Sequence, residues 1–370
     1  MFPLTDFPTL QGRTYLNTAA ESIPPRQVGE ALTEYWQDKT QGMAGRDPHF
    51  AKVEACREIA AKLVGLQPAE VAFCSCSSEA YNLLASALRL TAQDEVVVTD
   101  LDFPAGATPW LVGDRPPKTQ LWCARDGQLL LDDLLPLLNE RTRLVQVSLV
   151  SFLNGWRIDW VPLRDLVRRY APEAILSVDV TQALGRVDVT GVDADILISS
   201  THKWTLGIHG GCVVGVPEHA AAKLTTQAGG WYHITNAFDA DRFDTAKIRK
   251  GAASFSVGMP SFAPIYALNA ALRYLDGFGI QNIAAYADPL VAQAHEGLKG
   301  LGIQPMAPAQ PTCSSGILAF QHPDSAKIAE ALLAANIHVM HHAGRIRIAL
   351  HGYNAEAHVI ALLSTMRQHL

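Results

Sequence analysis

Short apolar runs rich in β-branched residues recur along the chain from about residue 70 onward. Six of them have the length and composition of strands that are buried on both faces, at 71–73, 95–99, 144–149, 174–178, 195–198 and 212–216. Segments with helical spacing lie between several of these runs, including 79–90 and 161–170. This alternation predicts an α/β fold whose mostly parallel sheet is covered by helices on both sides.

The pattern changes near Pro260. The segments that follow predict a helix at 262–274, another helix after it, a strand at 316–320, a helix at 325–334, and two short strands at 337–340 and 345–350. Gly277 is a plausible stop for the first of these helices, and Asn354 is expected to cap a terminal helix. This part of the chain therefore predicts a compact α+β unit.

The length of the chain, 370 residues, exceeds what one simple core usually supports. We expect a large domain over residues 16–260 and a smaller domain formed by residues 1–15 and 261–370. Hydrophobic residues make up 48% of the chain and charged residues 18%, which is ample for well-buried cores.

The charge and cysteine content restrict the classes of partner. The formal net charge is −6 and no basic block stands out, which argues against nucleic acid or an anionic membrane as the main partner. The chain shows neither a signal-peptide pattern at its start nor a segment as long as a transmembrane helix. Its six cysteines form no CxxC pair and no Cys/His cluster, so we expect no metal site and a cytoplasmic, reducing location.

Two charged residues follow neighbouring predicted strands. Asp179 stands at the carboxyl end of one strand, and His202 and Lys203 follow the next, so all three can reach one crevice at that edge of the sheet. A partly buried lysine there is a candidate Schiff-base former, and a carboxylate opposite it suits a protonated pyridine nitrogen. Alone, Lys203 is typical of a solvated loop and Asp179 of a strand end. Their combination with Gln182 favours a functional site.

The Asp-x-x-Gln and His-Lys pairs resemble those of the class V aminotransferase and cysteine desulfurase (NifS-like) family, which are pyridoxal-phosphate (PLP) enzymes of fold type I. The resemblance implies that Lys203 carries the cofactor and that Asp179 pairs with its pyridine nitrogen. Gln182 would then bond the ring hydroxyl, and Ser200 and His202 would contact the phosphate. It also implies a homodimer with active sites near the subunit interface, and a small amino-acid-like substrate.

Two further segments fit this resemblance. Ser77 and Ser78 stand in a Cys-Ser-Ser-Glu-Ala segment similar to the family's phosphate loop. Independently of the resemblance, small hydroxyl residues at a helix start offer free backbone N–H groups to an anion. An ordinary helix cap explains them equally well. Phe103 lies where the family places a ring that stacks on the cofactor, although an aromatic residue after a strand often belongs simply to the core.

The substrate contacts depend on the C-terminal third and on one loop. Arg347, six residues before Tyr353, matches the arginine of the family's signature and would bind the substrate carboxylate with its guanidinium fork. Arg345 shares its predicted strand face, so both side chains are alternatively explained by a solvated face. Asn154 is offset from the asparagine that desulfurases use, and we expect it to contact substrate.

One departure bears on the reaction. Cysteine desulfurases of this family need a mobile cysteine in a C-terminal loop, whereas here Ala343 follows His341 and His342 in a short loop and the nearest cysteine upstream is Cys313. An aminotransferase is therefore our first hypothesis. A C–S lyase or desulfurase-like enzyme without that nucleophile is the second, and an amino-acid epimerase stays open.

Two hypotheses fall outside this chemistry. A nucleotide-binding dehydrogenase shares the sheet pattern, but no G-x-G-x-x-G follows the first predicted strand. A catalytically retired subunit with the same fold is disfavoured by the intact set of Asp179, Gln182, His202 and Lys203.

Overall fold

The computed structural model describes residues 1–113, 116–310 and 314–370. These residues form twelve strands: β1 (Thr14–Tyr15), β2 (Val71–Cys74), β3 (Glu95–Thr99), β4 (Lys118–Trp122), β5 (Thr142–Ser148), β6 (Ile175–Asp179), β7 (Ile196–Ser200), β8 (Cys212–Gly215), β9 (Ile317–Gln321), β10 (Ile337–His338), β11 (Met340–His342) and β12 (Arg345–Ala349). Cys313 lies outside the described residues.

Eleven α-helices accompany the strands in the described part of the chain: α1 (Arg26–Thr40), α2 (Arg46–Val64), α3 (Ser77–Leu88), α4 (Pro104–Ala107), α5 (Leu131–Leu134), α6 (Trp160–Tyr170), α7 (Glu218–Ala221), α8 (Phe262–Phe278), α9 (Ile280–Gly300), α10 (Ser325–Ala334) and α11 (Glu356–His369). None of these helices combines the length and the apolar character needed to cross a lipid bilayer.

The central sheet has seven strands in the order β2-β8-β7-β6-β5-β3-β4. The five strands from β7 to β4 run parallel, and β8 is antiparallel to both of its neighbours. The predicted mostly parallel α/β sheet is therefore confirmed. Because parallel strands end at the same edge, the loops that follow β3, β5, β6 and β7 meet there.

Each face of the central sheet packs into its own hydrophobic core. In β6, Leu176 and Val178 belong to one cluster and Ile175 to the other, and in β7 Leu197 is separated in the same way from Ile198. Successive strand residues point to opposite faces, so a strand covered on both sides must be apolar throughout. This explains why these strands are continuous apolar runs in the sequence.

The C-terminal residues form a second, smaller sheet in the antiparallel order β11-β12-β9. Apolar residues of this sheet share a cluster with α9, α10 and α11. Helix α8 packs elsewhere, because Ile265, Leu268 and Leu272 enter a core cluster of the central sheet. The domain boundary near residue 260 stays a prediction.

Two predicted helix boundaries are wrong. Helix α8 continues through Gly277 and ends at Phe278, since Gly279 takes the left-handed φ of 80° that stops a helix easily. Asn354 is not the cap of α11, which Ala355 precedes directly. The Asn354 amide instead donates to the Tyr15 carbonyl at 2.8 Å and accepts from the backbone N–H of His351 at 2.7 Å, so it ties the chain ends together.

Two strand assignments also differ from the prediction. The edge strand β4 was not predicted, because Lys118 and Gln120 interrupt its apolar pattern. The single strand expected at 337–340 is divided between β10, which pairs with β1, and β11, which pairs with β12. The division depends on which strands β10 and β11 pair with. These partners lie elsewhere in the chain, so the local sequence pattern could not predict it.

The connection between β6 and β7 has a glycine that the packing requires. Gly185 has a φ of 98°, and a Cβ added there would lie 2.3 Å from the carbonyl oxygen of Trp204, next to Lys203. We expect Gly185→Ala to lower the free energy of unfolding by at least about 2 kcal/mol, measured by urea denaturation followed by circular dichroism.

The matched control for this prediction is Gly191→Ala in the same connection. A Cβ at Gly191 meets no atom within 4 Å, and the backbone there has no positive φ. We expect its unfolding free energy to stay within about 0.5 kcal/mol of the parent protein. Equal denaturation midpoints for the two variants would contradict the steric argument.

Candidate active site

The candidate site lies at the edge of the central sheet where β6 and β7 end. Strand β6 ends at Asp179 and β7 at Ser200, with Asp179 in register with Ile198 of its neighbour. Lys203 follows three residues after Ser200. The structure therefore brings the predicted carboxylate and the predicted lysine to one side of the sheet, as the sequence suggested.

A tight loop carries Lys203. The Thr201 hydroxyl lies 2.9 Å from the carbonyl oxygens of both Ile208 and Gly211, and it closes the loop across its base. A Cβ at Gly207 or Gly211 would lie 2.6 Å from an oxygen atom of Thr201. The glycines after the lysine thus allow the loop to fold back closely on itself.

The Lys203 amine is mostly buried and makes no hydrogen bond or ion pair within the described residues. Its Nζ lies 5.4 Å from the centre of the Phe103 ring. Burial lowers the pKa of Lys203 below its ordinary value; the Asp179 carboxylate opposes this shift and the Arg347 charge adds to it. A larger neutral fraction makes the amine a better nucleophile.

Fixed donors hold the Asp179 carboxylate. Oδ1 accepts the backbone N–H of Thr181 at 2.7 Å, and Oδ2 accepts the Tyr81 hydroxyl at 2.9 Å. The Gln146 amide in turn donates to that hydroxyl at 3.3 Å. Sequence analysis missed Tyr81; its only signal was a hydroxyl-bearing ring on the apolar face of α3. These contacts orient the carboxylate within the crevice.

A second carboxyl group, Asp102, lies beside the first and was also not predicted. Its Oδ1 accepts the backbone N–H of Ser148 at 2.6 Å, while its buried Oδ2 has no partner in the described residues. Burial raises the pKa of Asp102 to about 7, and the Asp179 charge contributes to the rise. The raised pKa favours the protonated form of Asp102 beside the charged Asp179.

The predicted phosphate loop has the geometry of an anion site. Helix α3 begins at Ser77, and its N-cap residue, Cys76, makes no side-chain cap. The first backbone N–H groups of the helix, with the hydroxyls of Ser77 and Ser78, are therefore available to an anion. The Glu79 carboxylate accepts two hydrogen bonds of 2.6 Å from Ser75 and orders the turn before the helix.

Ser200 is the last residue of β7, and His202 lies in the loop that follows, directly before Lys203. The backbone N–H of Ser200 donates to the Thr181 hydroxyl at 3.0 Å. The His202 ring stacks on His209 with ring centres 4.0 Å apart. Burial lowers the pKa of His202 to about 4, aided by the charges of Lys203 and His209, so the ring is neutral at pH 7.

The Gln182 amide is held by two partners from different parts of the chain. Its oxygen accepts the indole N–H of Trp204 at 2.7 Å, and its nitrogen donates to the carbonyl of Ala19 at 3.0 Å. An amide nitrogen has two hydrogens, so one remains free for a ring hydroxyl. Trp204, a third residue that was not predicted, fixes the orientation of this amide.

Arg347 is buried at 4% exposure, which rules out the solvated strand face. Its Nη1 donates to the carbonyl of Phe152 at 2.7 Å, and the Phe152 ring packs edge-on against Phe103 with centres 5.1 Å apart. This chain of contacts brings Arg347 to the cleft that contains Lys203.

Asn154 is engaged elsewhere. Its amide nitrogen donates to the carbonyl of Gly127 at 2.8 Å, and its oxygen accepts the backbone N–H of Trp156 at 3.0 Å. Asn154 lines a separate cavity with His295 and Gln310. These contacts give no support to the predicted substrate contact, which stays a prediction.

The residues at this edge fit PLP. The neutral form of the Lys203 amine suits its aldehyde, the Asp179 carboxylate its pyridine nitrogen, and the start of α3 its phosphate. The second amide N–H of Gln182 offers a donor to the cofactor's ring hydroxyl. The Phe103 ring offers a face on which the pyridine ring can stack.

The chain is similar to known proteins over most of its length. A 28% identical relative, the "Uncharacterized aminotransferase YcbU" of Bacillus subtilis, aligns over 95% of this chain and 92% of its own length. A cysteine desulfurase of Cronobacter sakazakii is 29% identical, over 78% of this chain and 74% of the relative.

Solved structures show the same fold. The apo cysteine desulfurase of Thermococcus onnurineus superposes with a TM-score of 0.88 at 25% identity, covering 99% of this chain and 96% of that one. The cystine C–S lyase C-DES gives a TM-score of 0.86 at 18% identity, over 98% and 99% of the two chains.

The family model described as "Aminotransferase class-V" matches residues 14–363. The match includes the strand ends, the lysine loop, the start of α3 and the arginine strand described above. The chain therefore belongs to the class-V aminotransferase family of pyridoxal-phosphate-dependent enzymes.

Proposed function

We propose that the enzyme is an aminotransferase that acts on the amino group of a small amino acid or amine. The observation that carries this proposal is the arrangement of three groups in one cleft: the Lys203 amine, which has no hydrogen-bond or ion-pair partner among the described residues, the Asp179 carboxylate at the neighbouring strand end, and the buried guanidinium of Arg347. An amine, a carboxylate and a cation are the groups needed to process an amino acid on this cofactor.

The other predicted contacts receive roles in the same proposal. Phe103 stacks on the cofactor ring, and the spare N–H of Gln182 bonds the ring hydroxyl. Ser77 and Ser78 at the start of α3 hold the phosphate with Ser200 and His202 from the lysine loop. Ring stacking with His209 fixes the orientation of the His202 ring. The lowered pKa of His202 keeps this ring neutral, with one N–H group to donate.

When bound, the cofactor supplies an electron sink that stabilises negative charge at the substrate Cα. Arg347 binds the substrate carboxylate in a bidentate pair and so orients the Cα–H bond. The Lys203 amine, with its lowered pKa, would take up that proton from the substrate Cα at Nζ and hold it for return to substrate or cofactor. Asp179 stabilises positive charge opposite its carboxylate, and its bonds to Thr181 and Tyr81 prevent it from turning away.

A C–S lyase or desulfurase-like reaction is the second candidate, favoured by relatives named cysteine desulfurase. The short hairpin between β11 and β12 argues against a persulfide on the protein. His342 pairs with Arg345, so only Ala343 and Gly344 form the turn, with φ values of 50° and 77°. This is a two-residue type I′ geometry with no mobile loop.

A homodimer is part of the proposal. Large apolar side chains are exposed along the segment between β8 and α8: Trp231 at 43%, Phe238 at 86%, Phe243 at 89% and Met259 at 40%. An apolar surface of this kind is typical of a subunit interface. Sedimentation equilibrium is expected to give twice the mass of one chain.

We also propose a cytoplasmic location. The five cysteines among the described residues are all free thiols. Free thiols are typical of a reducing compartment.

The first prediction concerns cofactor attachment. Purified protein supplied with PLP is expected to show the absorbance band of the lysine-bound cofactor, and borohydride is expected to fix the cofactor covalently. Lys203→Ala removes the amine proposed to bond the cofactor and should abolish both signals. Lys327→Ala, at an exposed position on α10, is the control and should keep them. A wild-type protein without this band would contradict the proposal.

The second prediction concerns the ring partner. Asp179→Asn keeps the shape of the side chain but removes its charge, so we expect the rate of the amino-acid-dependent spectral change to fall about 100-fold or more. Borohydride labelling of Lys203 should persist. Asp193→Asn, which removes an exposed carboxylate paired with Arg164, is the control. Unchanged kinetics in Asp179→Asn would show that the carboxylate has no part in the reaction.

The third prediction separates the two reaction types. With a panel of amino acids, we expect conversion of the absorbance band and release of a keto acid. With L-cysteine, we expect no persulfide on the enzyme, because no cysteine stands in the hairpin turn. Stoichiometric sulfide release from L-cysteine without transamination of any amino acid would instead favour the lyase.

A further inference from the structure

Two buried arginines of β12 lack an anionic partner. Arg345 and Arg347 are exposed by only 7% and 4%, and the Nε atom of each makes no hydrogen bond with the described residues. No carboxylate of those residues forms an ion pair with either side chain. Burying an unpaired charge is costly, so two such groups side by side indicate that ligand charge completes the site.

The two guanidinium groups project from the same face of the strand. Ile346 and Ile348 alternate with them and enter the C-terminal core cluster, so both arginines point to the opposite side. There they meet one loop residue. Arg347 donates to the Phe152 carbonyl at 2.7 Å, and the Arg345 guanidinium lies 5.7 Å from the centre of the Phe152 ring.

The same loop residue connects both arginines to the catalytic lysine. The Phe152 ring packs on Phe103, and the Phe103 ring lies 5.4 Å from Lys203 Nζ. These contacts place the Lys203 amine and the two guanidinium groups in one cleft. Burial lowers the pKa of Arg347 to about 10, and the charge of Arg345 adds to the shift.

One substrate carboxylate can neutralise only one of these arginines. Alternate residues on a strand are separated by about 7 Å, so a second acidic group on a short side chain can reach the second guanidinium. Carboxylates and sulfur oxyanions both match the guanidinium fork. Arg345 differs in this respect from Arg347, because it donates no hydrogen bond to the described residues and keeps all its donors for a ligand.

We infer that the enzyme acts on an amino acid with a second acidic group on a short side chain, a dicarboxylic amino acid or its sulfinic or sulfonic analogue. Arg347 binds the α-carboxylate and Arg345 the side-chain acid. Arg345 is then the residue that determines specificity. This inference rests on the proposed function, since Lys203 and its cofactor define which group is the substrate amine.

The test measures binding of acids without an amino group to the holoenzyme by isothermal titration calorimetry. Succinate, 3-sulfopropionate and butyrate serve as probes, and butyrate matches succinate in carbon number with one acidic group fewer. We expect at least one of the two dianions to bind about 10- to 100-fold more tightly than butyrate. The better dianion distinguishes a carboxylate from a sulfur oxyanion.

Variants assign the preference to Arg345. Arg345→Gln is expected to remove the preference for the dianion while leaving the affinity for butyrate unchanged, and Arg345→Lys should restore part of it. Arg367→Gln, at an exposed position on α11, is the matched control. A merely structural Arg345 would weaken all three probes equally, and unfolding of Arg345→Gln would be recognised by circular dichroism and leave Arg345→Lys as the test.

The outcomes separate this inference from the proposed function. Equal affinities for succinate, 3-sulfopropionate and butyrate, or no binding of any, would overturn the assignment of a diacid substrate. Loss of the Lys203-dependent absorbance band would instead overturn the proposed function, whichever acid binds.

Discussion

The parallel pairing of β6 with β7 is the constraint on which the site depends. It fixes Asp179 opposite Ile198 and makes both strands end at one edge, so the loop after β7 must pass close to the carboxylate. A slip of one residue in this pairing would turn Asp179 to the other face of the sheet. Two covered faces oppose such a slip, because residues of each strand are divided between two separate cores.

The cleft above this edge contains charged side chains that have no bonded partner of opposite charge among the described residues. In the described residues Asp179 has two donors and no bonded cation, while Arg345 and Arg347 are buried cations without a bonded anion. This arrangement lowers the stability of the unliganded protein, and binding of an anionic ligand compensates for the loss. Active sites commonly give up stability in this way, so the cofactor and substrate are expected to contribute to the stability of the enzyme.

The sequence allowed the central strands to be located because burial on both faces leaves continuous apolar runs. The edge strand β4 was not predicted, because Lys118 and Gln120 interrupt its apolar pattern. Asp179 and Lys203 were found because their positions after strands imply a shared edge. The contacts that orient them were not, because Tyr81 reaches Asp179 across 98 residues of chain and Trp204 reaches Gln182 across 22. Such pairs depend on three-dimensional packing.

The turn between β11 and β12 limits how this enzyme can change its chemistry. Ala343 and Gly344 reverse the chain within two residues, and the strands on both sides are in register up to the turn. A reactive side chain placed there would be tethered to the sheet and unable to travel to a second protein. Evolution or design of a sulfur carrier on this scaffold therefore requires an insertion that lengthens the hairpin, and no single substitution suffices.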